Sequence, residues 1–501
     1  MDKLLSIVLL LLPMQMLAQP SWHSQWMKPG KDGVWEYKPD VDGDIIPDFS
    51  GVGYKKNRVP FPQVPVKISL TPSGGDDGTQ IQDAINKLAA LPPDANGLRG
   101  AVLLQEGEYR ISGNVRIHTS GIVLRGVGNA TRLVATGTGQ RNLVVLAGEG
   151  NWQELPGTRQ KITNRRVPVG AKWIKIENTK SMHVGDSIIV FRPATIRWIQ
   201  DIGMDQIERR DSNTLQWAVQ DYGLKYERVI MAIAGDSILL DNPVVMAMED
   251  KYGGGEIYRY RFAGRIRDVG VEDLQCVSAY KNDTDEDHAW SAVFVNRVED
   301  GWVKGITARH FGYSCVNLGY QSRNITVADC AFLEPKSQIT GGRRYSFNND
   351  GQLNLVMNCY AREGRHDFVT GARVSGPNVF FNCKADSAFG DIGPHHRWAT
   401  GTLYDNIITD GEINVQDRGN WGTGHGWAGV TQIIWNCRVK RAALQQPRAS
   451  AKNYVVGLAG ELYEGRLPGR MPAMVEGLNR PGLQPASLYQ AQLENAIKKK
   501  N

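Results

Sequence analysis

The 501 residues are 41% hydrophobic and 22% charged, which supplies a large core and excludes a highly charged, disordered chain. A formal net charge of +6 is too mild at this length to indicate a nucleic-acid protein, and it suits one that handles an acidic polymer. The 55 glycines favour a turn-rich β protein over a helical one.

Lys3, the apolar run Leu4 to Leu12 and the small-residue site Met16-Leu17-Ala18 read as a signal peptide over residues 1–18, cleaved near Ala18. The run is too short to span a membrane. A secreted or periplasmic protein without membrane insertion is expected. Residues 19–70 form an extension rich in Trp, Pro and Gly. Within it, Asp40-Val41-Asp42-Gly43-Asp44 lacks the ligand spacing and closing Glu of a calcium loop and reads as a turn.

Residues 71–150 begin with Gly75-Asp76-Asp77-Gly78-Thr79 and a short amphipathic helix from Gln80 to Leu88, with Thr79 as its expected N-cap. Short strands closed by glycine turns follow: Gly100 to Leu104, Gly107-Glu108-Tyr109, Val115-Arg116-Ile117 and Ile122 to Gly126. This run of Asp-Asp-Gly-Thr, Ile-Gln-x-Ala-Ile, Gly-Ala-Val-x-Leu-x-x-Gly-x-Tyr and Leu-Arg-Gly resembles the opening of the pectate-lyase superfamily. The resemblance implies an all-β, right-handed parallel β-helix solenoid with an N-terminal capping helix, and a carbohydrate substrate. It does not name a reaction.

Residues 151–262 interrupt the pattern and read as a β-rich insertion. Strands are expected at Val167 to Lys172 and Val184 to Val190, and a hairpin from Ile230 to Leu240. Such an insertion could wall one side of a cleft.

From 263 to 441 the chain repeats itself in blocks of roughly two dozen residues, the signature of a solenoid. One half of each block ends in a small consensus: Ala328-Asp329-Cys330, Met357-Asn358-Cys359, Phe381-Asn382-Cys383 and Trp435-Asn436-Cys437, with Leu274-Gln275-Cys276 as an earlier copy. Stacked coils would place these residues about 4.8 Å apart. The Cys positions then read as an inward stack of free thiols, and the Asn positions as an amide ladder at the turns. No Cys/His spacing indicates zinc.

The other half of each block opens with His and Arg: Asp287-His288, Arg309-His310, Arg343-Arg344-Tyr345, Arg365-His366-Asp367, His395-His396-Arg397-Trp398 and Gly424-His425. Set in register, these would form one line along an outer face. The superfamily's lyases cleave uronic-acid polymers by β-elimination, which needs a base at C5, a clamp on the carboxylate and an acid for the leaving oxygen. Histidine titrates near neutral pH, and the arginine fork matches a carboxylate. The expected catalytic residues are therefore His366, His396, Arg365, Arg397 and Tyr345. Arg343, Arg344, His310, His395, His425, Asp367, Asp391 and Trp398 are expected to bind an acidic polysaccharide or oligosaccharide.

The rival is a glycoside hydrolase using an Asp pair drawn from Asp350, Asp367, Asp386 and Asp391. Asn348-Asn349-Asp350 resembles one element of the polygalacturonase family, and Gly424-His425-Gly426 another, but not in that family's order. A non-catalytic, adhesin-like β-helix is a third reading. No cofactor is firmly implied. Calcium could bridge substrate carboxylates, with Asp283 to Asp287 as the best acidic group for it. Residues 442–501 read as a tail, with Leu488, Leu493 and Ile497 suggesting a short helix within Ala486 to Lys498 that caps the last coil.

Overall fold

The computed structural model describes residues 20–498, so the expected signal peptide lies outside the described residues. Twenty-eight strands join through parallel pairings into the coils of a parallel β-helix. One inward row shows the stacking: Ile68, Val102, Leu124, Val271, Val303, Val327, Val356, Phe380, Tyr404, Ile434 and Val455 are successive register partners. These side chains alternate with outward ones along short strands, so each coil buries one apolar set against the next.

The Asn positions do form a ladder. Asp329, Asn358, Asn382, Asn406 and Asn436 all have φ between 51° and 55°, a left-handed conformation that Asn and Asp tolerate better than other side chains. Asn358 Nδ2 donates to Asp329 Oδ1 (3.3 Å), Asn382 Nδ2 to Asn358 Oδ1 (2.8 Å) and Asn436 Nδ2 to Asn406 Oδ1 (2.9 Å). The residue after each of these turns points inward. Cys330, Cys359, Cys383 and Cys437 are buried there as free thiols, each facing a carbonyl of the preceding coil. Cys276 does not share that position. It pairs with Ala308, which pairs with Phe332, two residues beyond Cys330. The likeness of Leu274-Gln275-Cys276 to the later triplets was one of composition rather than register.

The N-terminal cap is the helix Gly78–Ala89, which buries Ile81, Ala84, Ile85 and Leu88 on the first coils at the spacing of one helical face. Its N-cap position falls on Asp77 rather than Thr79. Asp76 supports the turn, its Oδ1 accepting from Gly78 N at 2.9 Å.

Leu124 lies beside Val271 in the ladder, so the coils close up where the intervening segment leaves them. That segment carries an antiparallel sheet in which Leu224–Ala234 pairs with both Ser187–Arg192 and Ser237–Leu240. The expected hairpin is present. Val169 to Lys172 is not a strand, and a short helix, Ile196–Asp201, is capped by Thr195. The sheet is tied to the coils by buried polar bonds: Glu227 N to Gln352 Oε1 (2.9 Å), Arg228 Nη2 to Gly376 O (3.0 Å), and Tyr226 with Thr400 (3.2 Å).

The C-terminal helix, Leu488–Lys498, does not lie over the last coil. Leu488 and Tyr489 pack with Phe49, Phe381, Leu403 and Trp435 on the flank of the coils, and Asp405 accepts from Ser487 Oγ (2.8 Å) and Tyr489 N (2.7 Å). The N-terminal segment and this helix together cover an apolar outer face that would otherwise meet water.

Candidate functional site

Two adjoining cavities share His396 and form one trough between the coils and the insertion. The larger, about 680 Å³, is lined by Arg210, Tyr345, Arg365, His366, Asp391, His395, His396, Arg418, Trp421 and His425 among others. The smaller, about 580 Å³, is lined by Asp221, Lys225, Tyr313, Asp350, Arg373 and His396 among others. The insertion contributes Arg210, Asp221 and Lys225 to these walls.

The histidines meet without being in register. His366 lies two residues before the strand Phe368–Thr370, whereas His395 directly follows the strand Asp391–Pro394 that pairs with it. His425 sits on the long excursion between Glu412–Val415 and Gly429–Val430. The single line of His and Arg expected from the repeat is therefore corrected: turns at both ends of the strands, not one ladder position, bring these rings together. His366 and His395 have ring centres 3.8 Å apart. Tyr345 lies 4.9 Å from His366 and 5.4 Å from His395.

His366 is held by a buried chain of charge. Its Nδ1 lies 2.8 Å from the Asp391 backbone O and 3.2 Å from Asp391 Oδ1. Arg418 Nη1 donates to the other carboxylate oxygen at 2.7 Å. Burial alone would raise the Asp391 pKa, but Arg418, and His366 after it, hold the carboxyl well below the usual range. With Nδ1 donating, the neutral ring keeps its lone pair on Nε2, which is buried and has no partner among the described residues. Burial also lowers the His366 pKa, against the pull of Asp391, so the ring is neutral near pH 7. Burial pushes the Tyr345 phenol up to about 12, against the neighbouring Arg365 and Arg418. It therefore stays protonated and can donate.

Of the other expected residues, Arg365 lines the trough and its Nη1 bonds Gly341 O. Arg397 turns to the loop instead, donating to Gly424 O (3.2 Å) and Thr423 O (2.9 Å). Arg343 is paired with Glu286 (2.7 Å), and buried Arg344 donates to Ser337 O (2.7 Å). His310 pairs with Glu334 at 3.3 Å and lines neither cavity. Asp367 is buried, accepts from Ser346 Oγ at 2.6 Å, and is pushed up to about 7 by burial. Trp398 is fully buried in the insertion's core, 4.9 Å from Trp198. A large apolar ring facing a large apolar insertion is better buried there than exposed in the trough. Arg343, Arg344, Arg397, His310, Asp367 and Trp398 line neither cavity.

Sequence reading missed Arg418, Arg210, Lys225 and Arg373. Arg418 stands in Asp417-Arg418-Gly419, just ahead of the recognised Gly424-His425, but it carries no repeat signal. The other three lie outside or between the consensus blocks.

Calcium does not fit the acidic groups. Among the described residues the only all-carboxylate trio close enough for a cation is Asp40, Asp42 and Asp44. Lys452 (2.8 Å to Asp42, and also paired with Asp40) and Arg166 (2.8 Å to Asp44) already pair with all three. In the Asp283 to Asp287 group, Asp283, Glu286 and Asp287 pair with Lys336, Arg343 and Lys281.

No family model matches the chain, and no curated sequence is similar to it. Similar solved structures include the tailspike protein gp49 of Pseudomonas phage LKA1 (15% identity, 80% of this chain and 71% of that one, TM-score 0.37). Pectate lyase Pel9A is similar at 10% identity over 84% and 83% of the two chains, with a TM-score of 0.41. An alginate lyase from Paenibacillus sp. str. FPU-7 is similar at 10% identity over 82% and 98%, with a TM-score of 0.38. Among the described residues, no helix is long and apolar enough to cross a membrane.

Proposed function

We propose that the protein acts on an acidic, uronic-acid-containing polysaccharide and cleaves it by β-elimination. The observation that carries this reading is the His366 ring. Asp391 and Arg418 orient it, its unpartnered Nε2 is buried just behind the wall of a trough rich in arginine, and a protonated Tyr345 stands beside it. Once bound substrate shifts that wall, His366 Nε2 removes the proton at C5. The electron pair forms the C4=C5 double bond as the C4–O4 bond breaks, and Tyr345 gives its proton to O4. The proton taken by His366 then returns to the phenolate or to solvent. Arg365 and Arg210 line the same cavity and suit the substrate carboxylate, whose neutralisation stabilises the enolate that develops. Arg418 adds positive potential while it holds Asp391. With the signal sequence expected at residues 1–18, this makes an exported enzyme.

Asp350 favours a second reading. It lines the smaller cavity, and burial pushes it up to about 6, which suits a general acid in glycoside hydrolysis. Asp221 lines the same cavity and could be its partner. Incubation with a panel of uronic-acid polysaccharides separates the two. Ultraviolet absorbance of a C4=C5 unsaturated uronate supports elimination. New reducing ends without that absorbance overturn it in favour of Asp350.

A further inference from the structure

We propose that His395, His396 and His425 form a three-nitrogen site for a divalent transition metal of the zinc class. The proposal concerns metal binding and stands apart from the lyase reading, which uses none of these rings.

The three rings surround a common point. Their centres are 4.9 Å (His395 to His396), 5.0 Å (His396 to His425) and 5.8 Å (His395 to His425) apart. Their planes cross at 89°, 80° and 68° rather than stacking. One nitrogen from each lies within 4.8 Å of the other two. Metal–nitrogen bonds of about 2.0–2.1 Å in tetrahedral geometry set such nitrogens about 3.4 Å apart and the ring centres about 5 Å apart. The ring spacing is close to this, and binding would draw the nitrogens in from up to 4.8 Å.

An independent observation points to a ligand. His395 and His425 are only 6% and 8% exposed, and the Nδ1 of each is buried without a partner among the described residues. A buried polar atom left unpaired is costly, and one ion shared by the cluster would relieve both.

The backbone holds the rings ready. His395 and His396 directly follow the strand Asp391–Pro394. Arg397 braces the loop of His425 through Thr423 O and Gly424 O. Gly422 packs so closely on the His425 imidazole that any Cβ there would collide with it. Three neutral imidazoles suit zinc-class ions and not calcium, which takes hard oxygen ligands. Three protein ligands also leave a fourth position open to water or a substrate oxygen, the arrangement of catalytic rather than structural zinc sites. The other close set, His366, Asp391 and His395, is less suited because Arg418 and His366 already occupy the Asp391 carboxylate.

The test uses the full, untagged chain, stripped with a chelator and without substrate. Zn2+ is titrated against a chromophoric competitor, and Co2+ is added as a spectroscopic probe. One equivalent of micromolar or tighter Zn2+ is expected, with the intense visible bands of four- or five-coordinate cobalt. H396A and H425A should each weaken binding at least tenfold, while H366N should leave it within threefold. Binding of less than one equivalent would overturn the proposal. So would the weak bands of six-coordinate cobalt, unchanged affinity in H425A, or loss in H366N alone. Because no readout involves turnover, failure here and failure of the lyase reading are distinguishable.

Discussion

Replacing Arg418 by Met tests the charge chain behind His366. Arg418 and Asp391 sit 2.7 Å apart with side chains only 5% and 11% exposed, so water reaches the lost partner's place only from the trough side. Breaking a buried pair from one side leaves the other charge uncompensated, at a cost of about 3–5 kcal/mol. R418M should therefore lose about that much stability, with only His366 Nδ1, at 3.2 Å, left to the Asp391 carboxylate. D391N strands the guanidinium and should cost a similar amount, partly relieved by the face of Trp421, 4.8 Å from Arg418. The double variant R418M/D391N buries no charge from the pair, so its cost should fall short of the summed single costs by about 2–3 kcal/mol. Urea unfolding followed by both tryptophan fluorescence and far-ultraviolet dichroism measures the three differences. Additivity within about 0.5 kcal/mol would refute the reasoning, because it would mean that the ion pair does not couple the two residues.

Three further expectations follow from the same geometry. H366N and Y345F should each lower kcat on a uronate polymer by about 10²–10⁴-fold while the dichroism spectrum stays unchanged, since each removes one proton-transfer group; a variant within threefold of the parent would remove that residue from the mechanism. Asp350 has a folded pKa of about 6, above its ordinary value of 3.8, so its protonated form is favoured in the fold. Its contribution to stability is present below about pH 4 and is lost as pH rises through about 6. D350N should accordingly be near neutral at about pH 4 and stabilising by up to about 3 kcal/mol at about pH 8, and equal effects in denaturation at both pH values would contradict the assigned burial. In the ladder, Asn382 has φ 51°, which costs Ala about 1–2 kcal/mol but Gly only its backbone entropy, about 0.5–1 kcal/mol. N382G should therefore retain more stability than N382A in urea denaturation, and the reverse order would show that the turn relaxes.

The sequence by itself determined what repeats. Each coil meets the same local problem, a left-handed turn followed by an inward side chain. Asn or Asp answers the first and a small apolar Cys the second, so Asp329-Cys330, Asn358-Cys359, Asn382-Cys383 and Asn436-Cys437 recur legibly. The capping helix and the hairpin from Ile230 to Leu240 were legible for the same reason, since nearest neighbours in the chain decide them. The histidines were recognisable as a group, but only the tertiary structure decided how they meet. His366 before its strand, His395 after the next and His425 on a long loop share no repeat position, and their approach depends on turns of unequal length. Arg418 and Arg210 enter the site from segments without a repeat signal, one inside a loop and one in the insertion. Trp398, adjacent to the site in sequence, is drawn instead into the insertion's core. Periodicity reports contacts between neighbouring coils. Contacts between a coil and a segment far away in the chain leave no period, and the candidate site is made of those.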